Sequence, residues 1–300
     1  MRIATVLIGG HERLAMVTGE SLVVLADDEA TPRSVLNLIG RGEAGLAQVS
    51  AAAAKRAEIA LADIHLLAPI PVPRRNVFCV GKNYGAHAAE FHGSGFDTSS
   101  MSAVPQHPVF FSKATTSVIG TTAPIEADVD PTGTTDYEGE IAVVIGRGGR
   151  GISAADALDH VFGYTNLNDV TSRELQRTHG QWFLGKSLDT FCPMGPWITT
   201  ADELPDPTRI SFSVDVNGET RQSASLSDLI FSIPVLIETL SHHVTLLPGD
   251  IIATGTPAGV GIGFSPPRYL QDGDVVTVHG VELGALTNPV VRRAPTSPHA

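Results

Sequence analysis

Apolar positions fall into short runs through most of the chain, and the first 25 residues predict two strands, Ile3 to Ile8 and Leu14 to Thr18, with a further apolar run from Leu22 to Leu25. The Ala-rich stretch from 34 to 62 predicts helix, interrupted between Gly40 and Gly45. Alternating prolines at Pro69, Pro71 and Pro73 cannot lie inside a helix, so they place a boundary near residue 70. Beyond it, Val77 to Val80, Val109 to Phe111, Glu140 to Ile145, Ile210 to Val216, Asp250 to Ala253 and Val275 to Val278 read as strands. Asn217-Gly218 between two such runs is a hairpin signal, because a type I′ turn requires positive φ at both central residues. Beyond residue 70, helices are expected at Ser153 to Val161, at Val170 to Thr178 and at Ser232 to His243, the last with Pro234 in its first turn. So little helix predicts an α+β architecture dominated by sheet: a small N-terminal α/β domain over 1–70, a larger domain over 71–292 and a flexible tail over 293–300.

Composition narrows the function. In 300 residues, 32 acidic and 20 basic side chains leave a formal charge of −12, which disfavours nucleic acid and anionic membranes as partners. No apolar run approaches the roughly 18 residues of a membrane helix. The start MRIATVLIGGHERL shows no cleavable leader pattern and reads as a mature start. Two cysteines without metal-type spacing suit a reducing compartment, so a cytoplasmic protein is expected.

Two glycine motifs are weighed and set aside. Gly180 to Ser187 matches the spacing of a phosphate-binding P-loop, but Trp182 and Phe183 fill the cradle and prolines follow where its helix should run. Gly146 to Gly151 matches a dinucleotide fingerprint, with Asp169 downstream, yet the preceding strand does not open a βαβ series.

The strongest chemical signal is Asp136-Tyr-Glu138-Gly-Glu140. Residues i and i+2 of a strand share a face with Cα atoms about 6.5 to 7 Å apart. Glu138 and Glu140 so placed repel unless one is protonated or a cation intervenes. Asp169, read as opening a polar helix after FGYTNLN, offers a third carboxylate. Three oxygen donors suit Mg²⁺ or Mn²⁺. A merely solvated strand face remains the alternative on spacing alone. In GKNYGAHAAE, His87 and Glu90 stand three apart, so on a helix the carboxylate can orient the imidazole as a base. A surface helix is the alternative there.

Seven ordered blocks, VFCVGKNYGAHAAE, PVFFSKATTSVIG, DYEGEIAVVIG, GYTNLNDVTSRELQ, FLGKSLDTFCPMGP, VNGETRQSAS and FSIPVLIETLSHHVTLLPGDIIATGTPAGVG, together resemble the fumarylacetoacetate hydrolase family over about residues 70 to 290. The resemblance implies a mixed β-roll catalytic domain that forms homodimers, uses Mg²⁺ or Mn²⁺ and acts on small 2-oxo or β-diketo acids. It places Glu138, Glu140 and Asp169 as metal carboxylates, and His87 and Glu90 as a catalytic pair on a segment that acts as a lid in relatives. It puts catalytic Lys186 beside the metal, and Lys113, Arg173, Gln176 and Thr256 at substrate-contacting positions. Two departures stand out. No fourth metal carboxylate is found in the first 70 residues, and an aromatic substrate contact of the animal enzymes falls on Gly180. The chain therefore looks more like the bacterial acylpyruvate hydrolase, hydroxymuconate-type isomerase and oxaloacetate decarboxylase branches. The leading expectation is metal-dependent hydrolysis of a C–C bond in an acylpyruvate- or fumarylpyruvate-type acid. Oxaloacetate decarboxylation or 2-hydroxymuconate-type isomerisation on the same site is the alternative, and a non-catalytic metal- or ligand-binding protein the remote one.

Overall fold

The computed structural model describes residues 1–25, 31–93, 95 and 104–292. The tail assigned to 293–300 and most of the segment from 94 to 103 lie outside the described residues. In chain order the structure runs β1 (Arg2–Ile8), β2 (His11–Thr18), β3 (Ser21–Val24), α1 (Val35–Ala53), β4 (Ile59–Ala60), β5 (His65–Leu66), β6 (Val77–Gly81), α2 (Gly85–Gly93), β7 (Val109–Lys113), β8 (Val118–Ile119) and β9 (Ile125–Glu126). It continues through β10 (Thr135–Asp136), β11 (Gly139–Ile145), β12 (Val161–Asn168), β13 (Thr171–Ser172), α3 (Arg173–Thr178), α4 (Phe183–Lys186) and β14 (Cys192–Thr200). It closes with β15 (Ser211–Val216), β16 (Glu219–Ser225), α5 (Ile233–His243), β17 (Ile251–Ala253), β18 (Val275–Gly280) and β19 (Gly284–Val291).

The main sheet has the order β4-β3-β2-β1-β14-β12-β11-β17-β6-β7, and a second sheet runs β16-β15-β18-β19-β9. This sheet-dominated α+β fold agrees with the expected class. The first 70 residues share the main sheet with the rest, because β1 pairs with β14 through Arg2↔Thr199 and Ile3↔Ile198. Strand β11 shows why the sheet is a core element. All seven residues are buried. Ile141, Val143 and Ile145 enter one apolar cluster, while Ala142 and Val144 enter another on the opposite face.

The Asn217-Gly218 hairpin forms as predicted between β15 and β16, with φ of 54° and 78° at the two residues. Helix α5 starts at Ile233, with Ser232 at its N-cap and Pro234 in its first turn. Other helical expectations need correction. The helix predicted over 34–62 ends at Ala53, while its expected interruption between Gly40 and Gly45 falls at non-helical Gly42. Ser153 to Val161 is not an α-helix; a 3₁₀ turn occupies Ala157–His160, and Val161 already begins β12. The helix expected from Val170 starts only at Arg173, because Thr171 and Ser172 pair with Asp136 and Thr135. Asp169 thus follows a strand and does not open a helix. No helix among the described residues is long and apolar enough to cross a membrane.

Candidate active site

The site lies where β11 begins and β12 ends. Gly139 pairs with Asn168 and Glu140 with Leu167, so Glu138, one residue before β11, is opposite Asp169, one residue after β12. The Asp169 amide donates to the Glu138 carbonyl at 2.8 Å, and the Asn168 side chain accepts from the Glu138 amide at 3.0 Å. This antiparallel junction brings Glu138, Glu140 and Asp169 together, with one oxygen of each within 4.8 Å of the others, and all three are buried.

Three cations surround the carboxylates. Lys186 Nζ donates to Glu138 Oε2 and Asp169 Oδ2, both at 2.7 Å. Arg173 Nη1 donates to Glu138 Oε1 at 2.5 Å and its Nε to Asp136 Oδ2 at 2.8 Å. Lys113 Nζ donates to Asp169 Oδ1 at 2.7 Å, to the Val170 carbonyl and to the Lys186 carbonyl. Burial alone would push the Glu138 carboxyl up, but Lys186, Arg173 and His87 outweigh it and bring it down to about 2. Burial also opposes the Lys186 ammonium, yet Asp169 and Glu138 hold its pKa above the ordinary value.

Glu140 is different. It accepts from the Gly255 amide at 2.7 Å and forms no ion pair among the described residues. Burial, then Asp169 and Glu138, raise its carboxyl well above the usual range. Asp136, Glu138, Glu140 and Asp169 set four carboxylates against the three cations Lys113, Arg173 and Lys186. A buried excess of one carboxylate, centred on an all-oxygen donor triad, fits a divalent ion of the Mg²⁺ or Mn²⁺ type.

Helix α2 brings the second group. Asn83 anchors its start by donating to the Thr254 carbonyl at 2.8 Å and accepting from the Phe231 amide at 2.8 Å. One turn on, buried His87 meets Glu90, with 3.3 Å between Nδ1 and Oε2. Glu90 also accepts from the Gly259 amide at 3.2 Å. Gly263 makes room for it, since a Cβ there would overlap the carboxylate. His87, Glu138, Arg173, Gln176, Lys186 and Thr256 share the wall of one narrow cavity with a free volume of about 20 Å³. Lys113 stands apart: it is fully buried behind Asp169 and bonded wholly to protein groups. Thr256 donates to the Gly139 carbonyl at 2.9 Å and accepts from Gln222 at 2.8 Å.

Some residues that build the site carry no sequence expectation. Asp136 links Arg173 to the Gly261 and Ile262 amides, and Gln222 ties Gly139 to Thr256. Trp182 and Phe111 line the cavity with Phe91. Their signals are absent from motif spacing because each acts through a fold contact distant in sequence. Of the rejected motifs, Gly180 to Ser187 supplies Trp182 and Lys186 to this site. The glycine run at 146–151 packs on the Leu246 segment through paired Gly149 and Leu246 hydrogen bonds.

A sheet-built cavity with a buried carboxylate triad, a histidine–carboxylate pair and a lysine defines an enzyme site of the metal-dependent, proton-transferring kind. The fumarylacetoacetate (FAA) hydrolase C-terminal family model matches residues 76–291, and the chain belongs to this family. It is 50% identical over 230 residues to oxaloacetate tautomerase YisK of Bacillus subtilis strain 168, covering 77% of this chain and 74% of that protein. Among solved structures it is similar to a fumarylacetoacetate hydrolase from Exiguobacterium antarcticum, with TM-score 0.83, 40% identity, and 98% and 100% of the two chains covered. It is also similar to maleylpyruvate hydrolase from Sphingobium sp. SYK-6 in complex with manganese (II) ion and pyruvate, with TM-score 0.78, 34% identity, and 98% and 100% coverage.

Proposed function

We propose that this enzyme interconverts the keto and enol forms of a small 2-oxo diacid of the oxaloacetate type. The observation that carries the reading is the 50% identity, across 230 residues, to an oxaloacetate tautomerase. This favours the isomerising alternative of the sequence reading over its hydrolytic lead. Glu138, Glu140 and Asp169 would hold Mg²⁺ or Mn²⁺, and the ion, when bound, supplies Lewis-acid polarisation of the 2-oxo group.

The chain's own residues account for the proton movement. Glu90 engages His87 Nδ1, which leaves Nε2 as the ring nitrogen available to substrate. His87 takes the proton from the carbon beside the keto group as the C–H electrons become the C=C bond of the enol, and the keto oxygen gains a proton. No water is consumed and nothing is released. Lys186, at the cavity wall, sets positive charge against the charge that develops on that oxygen. A dication would offset the excess of buried carboxylates at this centre, which, beside Lys186 and Arg173, suits an anionic substrate. The cavity's free volume of about 20 Å³ is far below the ~300–1,000 Å³ usual for small-molecule sites, so admitting even a small diacid requires its walls to move apart.

Hydrolysis of an acylpyruvate- or fumarylpyruvate-type β-diketo acid is the second reading, favoured by the similarity to maleylpyruvate hydrolase. His87 would then deprotonate water for attack on the distal carbonyl. A homodimer in the cytoplasm, with catalysis in residues 71–292, completes the proposal.

The test gives EDTA-stripped protein the enol of oxaloacetate, with and without Mg²⁺ or Mn²⁺, and follows ultraviolet absorbance together with NMR of products. Metal-dependent loss of enol without pyruvate is expected. Pyruvate and CO₂ from oxaloacetate would make the enzyme a decarboxylase, and acetate plus pyruvate from acetylpyruvate would make it a hydrolase.

A further inference from the structure

Three aromatic rings, Phe91, Phe111 and Trp182, meet at the wall of the cavity. Trp182, just before α4, packs edge-on against Phe91 of α2, with centroids 5.9 Å apart and planes at 81°. It packs likewise against Phe111 of β7, at 5.3 Å and 73°. The indole lies directly on the backbone of Gly81, the last residue of β6. A Cβ at Gly81 would overlap Cζ3 of Trp182 and stand 2.9 Å from Cη2. Glycine at this position is thus what lets the ring sit there.

The aromatic surface joins the reacting groups on both sides. The His87 ring stacks on Phe91 with centroids 6.2 Å apart, and Lys186 Nζ stands 5.1 Å from the Phe111 centroid. Beyond Trp182 the chain faces solvent, since Phe183 and Leu184 are 40% and 49% exposed. Trp182 itself is half-buried, so among the described residues removing the indole widens the cavity on a side that is partly open to solvent.

We propose that Trp182, seated on Gly81, is the specificity-determining wall that fixes how long a substrate the cavity accepts. The proposal rests on the 2-oxo acid reading above and names the class more narrowly: 2-oxo acids with a short arm, those with long or aromatic arms being excluded by the indole. Burying or rejecting a single methylene in such a pocket changes selectivity by about tenfold or more. A wall this close to the base and the lysine acts on every substrate that reaches them.

The experiment measures binding of pyruvate, 2-oxoglutarate, 2-oxoadipate and 4-phenyl-2-oxobutanoate to the Mn²⁺-loaded protein by calorimetry, beside enol turnover. Wild type, Trp182→Ala, Trp182→Phe and Gly81→Ala are compared, with circular dichroism as the check on folding. In wild type, affinity should fall about tenfold or more from the shortest to the aromatic acid. Trp182→Ala should bring the four acids to within a few fold, and Trp182→Phe should fall between. Gly81→Ala displaces the ring from its seat and should alter the ranking of the four acids. If Trp182→Ala misfolds, the Phe and Gly81 variants decide by the same ranking. Equal binding of all four acids by wild type, or an unchanged ranking in the variants, overturns the proposal. Length selection that vanishes with Trp182, in a protein without enol turnover, supports the wall and sinks only the tautomerase reading. Absence of binding by every acid overturns both.

Discussion

Replacing Arg173 by methionine isolates the electrostatic frame of the site. Arg173 is fully buried and spans Asp136 and Glu138 through Nε and Nη1, with a further contact to Gln176 at 3.3 Å. Its charge is secure: burial disfavours it, but Asp136 and Glu138 raise its pKa above even the ordinary arginine value. Methionine keeps much of the aliphatic stem, so the loss is of charge and hydrogen bonds more than of volume. Removing one partner of a buried ion pair costs about 3–5 kcal/mol. Asp136 retains the Gly261, Ile262 and Tyr137 amides, and Glu138 retains Lys186, which places the expected cost near the lower end, about 3 kcal/mol. Urea unfolding of the metal-free protein, read by linear extrapolation, gives the number. Arg173→Lys keeps a charge but not the planar fork and should lose less. A loss under about 1 kcal/mol for Arg173→Met at unchanged slope would refute the idea that this arginine neutralises both carboxylates.

Two further outcomes follow from the geometry. Glu90→Gln removes the carboxylate that orients His87 and should lower kcat by about a hundredfold or more while the urea midpoint stays close to wild type; steady-state kinetics and unfolding on one preparation check it. Cys79 and Cys192 are free and buried. Burial pushes the Cys192 thiol up to about 12 from its ordinary 9.0, so both should resist a thiol reagent until the protein unfolds. Because the raised value belongs to the folded state, the contribution of Cys192 to stability is complete below pH 9.0 and is lost between there and about 12, an effect that Cys192→Ala should remove from the alkaline unfolding profile.

The strands were legible where burial is regular and turns are chemically marked. Val77 to Val80 and Glu140 to Ile145 are runs of β-branched and aliphatic residues, and Asn217-Gly218 supplies the positive φ that its turn demands. Legibility failed where a fully buried strand carries polar residues or where the ladder is broken. β12 is buried at all eight positions, but unlike the aliphatic run of β11 its sequence VFGYTNLN holds a glycine, a threonine and two asparagines, and the capped-looking segment before it reads as helix. In β14, Pro193 and Pro196 argue against a central strand, yet the pairing with β12 shifts between Tyr164 and Asn166 beside Gly195. The carboxylates were readable because two of them stand at i and i+2, and the histidine pair because it stands at i and i+3. Trp182, Asp136 and Gln222 were not, since their roles depend on strands that meet only in the folded chain.

Whether a carboxylate-held divalent ion and the chain's own base act on a 2-oxo acid is decided by titrating Mn²⁺ into wild type and Glu140→Gln, with free ion followed by electron paramagnetic resonance and oxaloacetate enol turnover measured on the same samples. One tightly held ion per wild-type chain, turnover that rises in step with its binding, and loss of both in Glu140→Gln are expected. Full turnover in the EDTA-stripped protein, or in Glu140→Gln without bound Mn²⁺, would contradict a metal-dependent reaction.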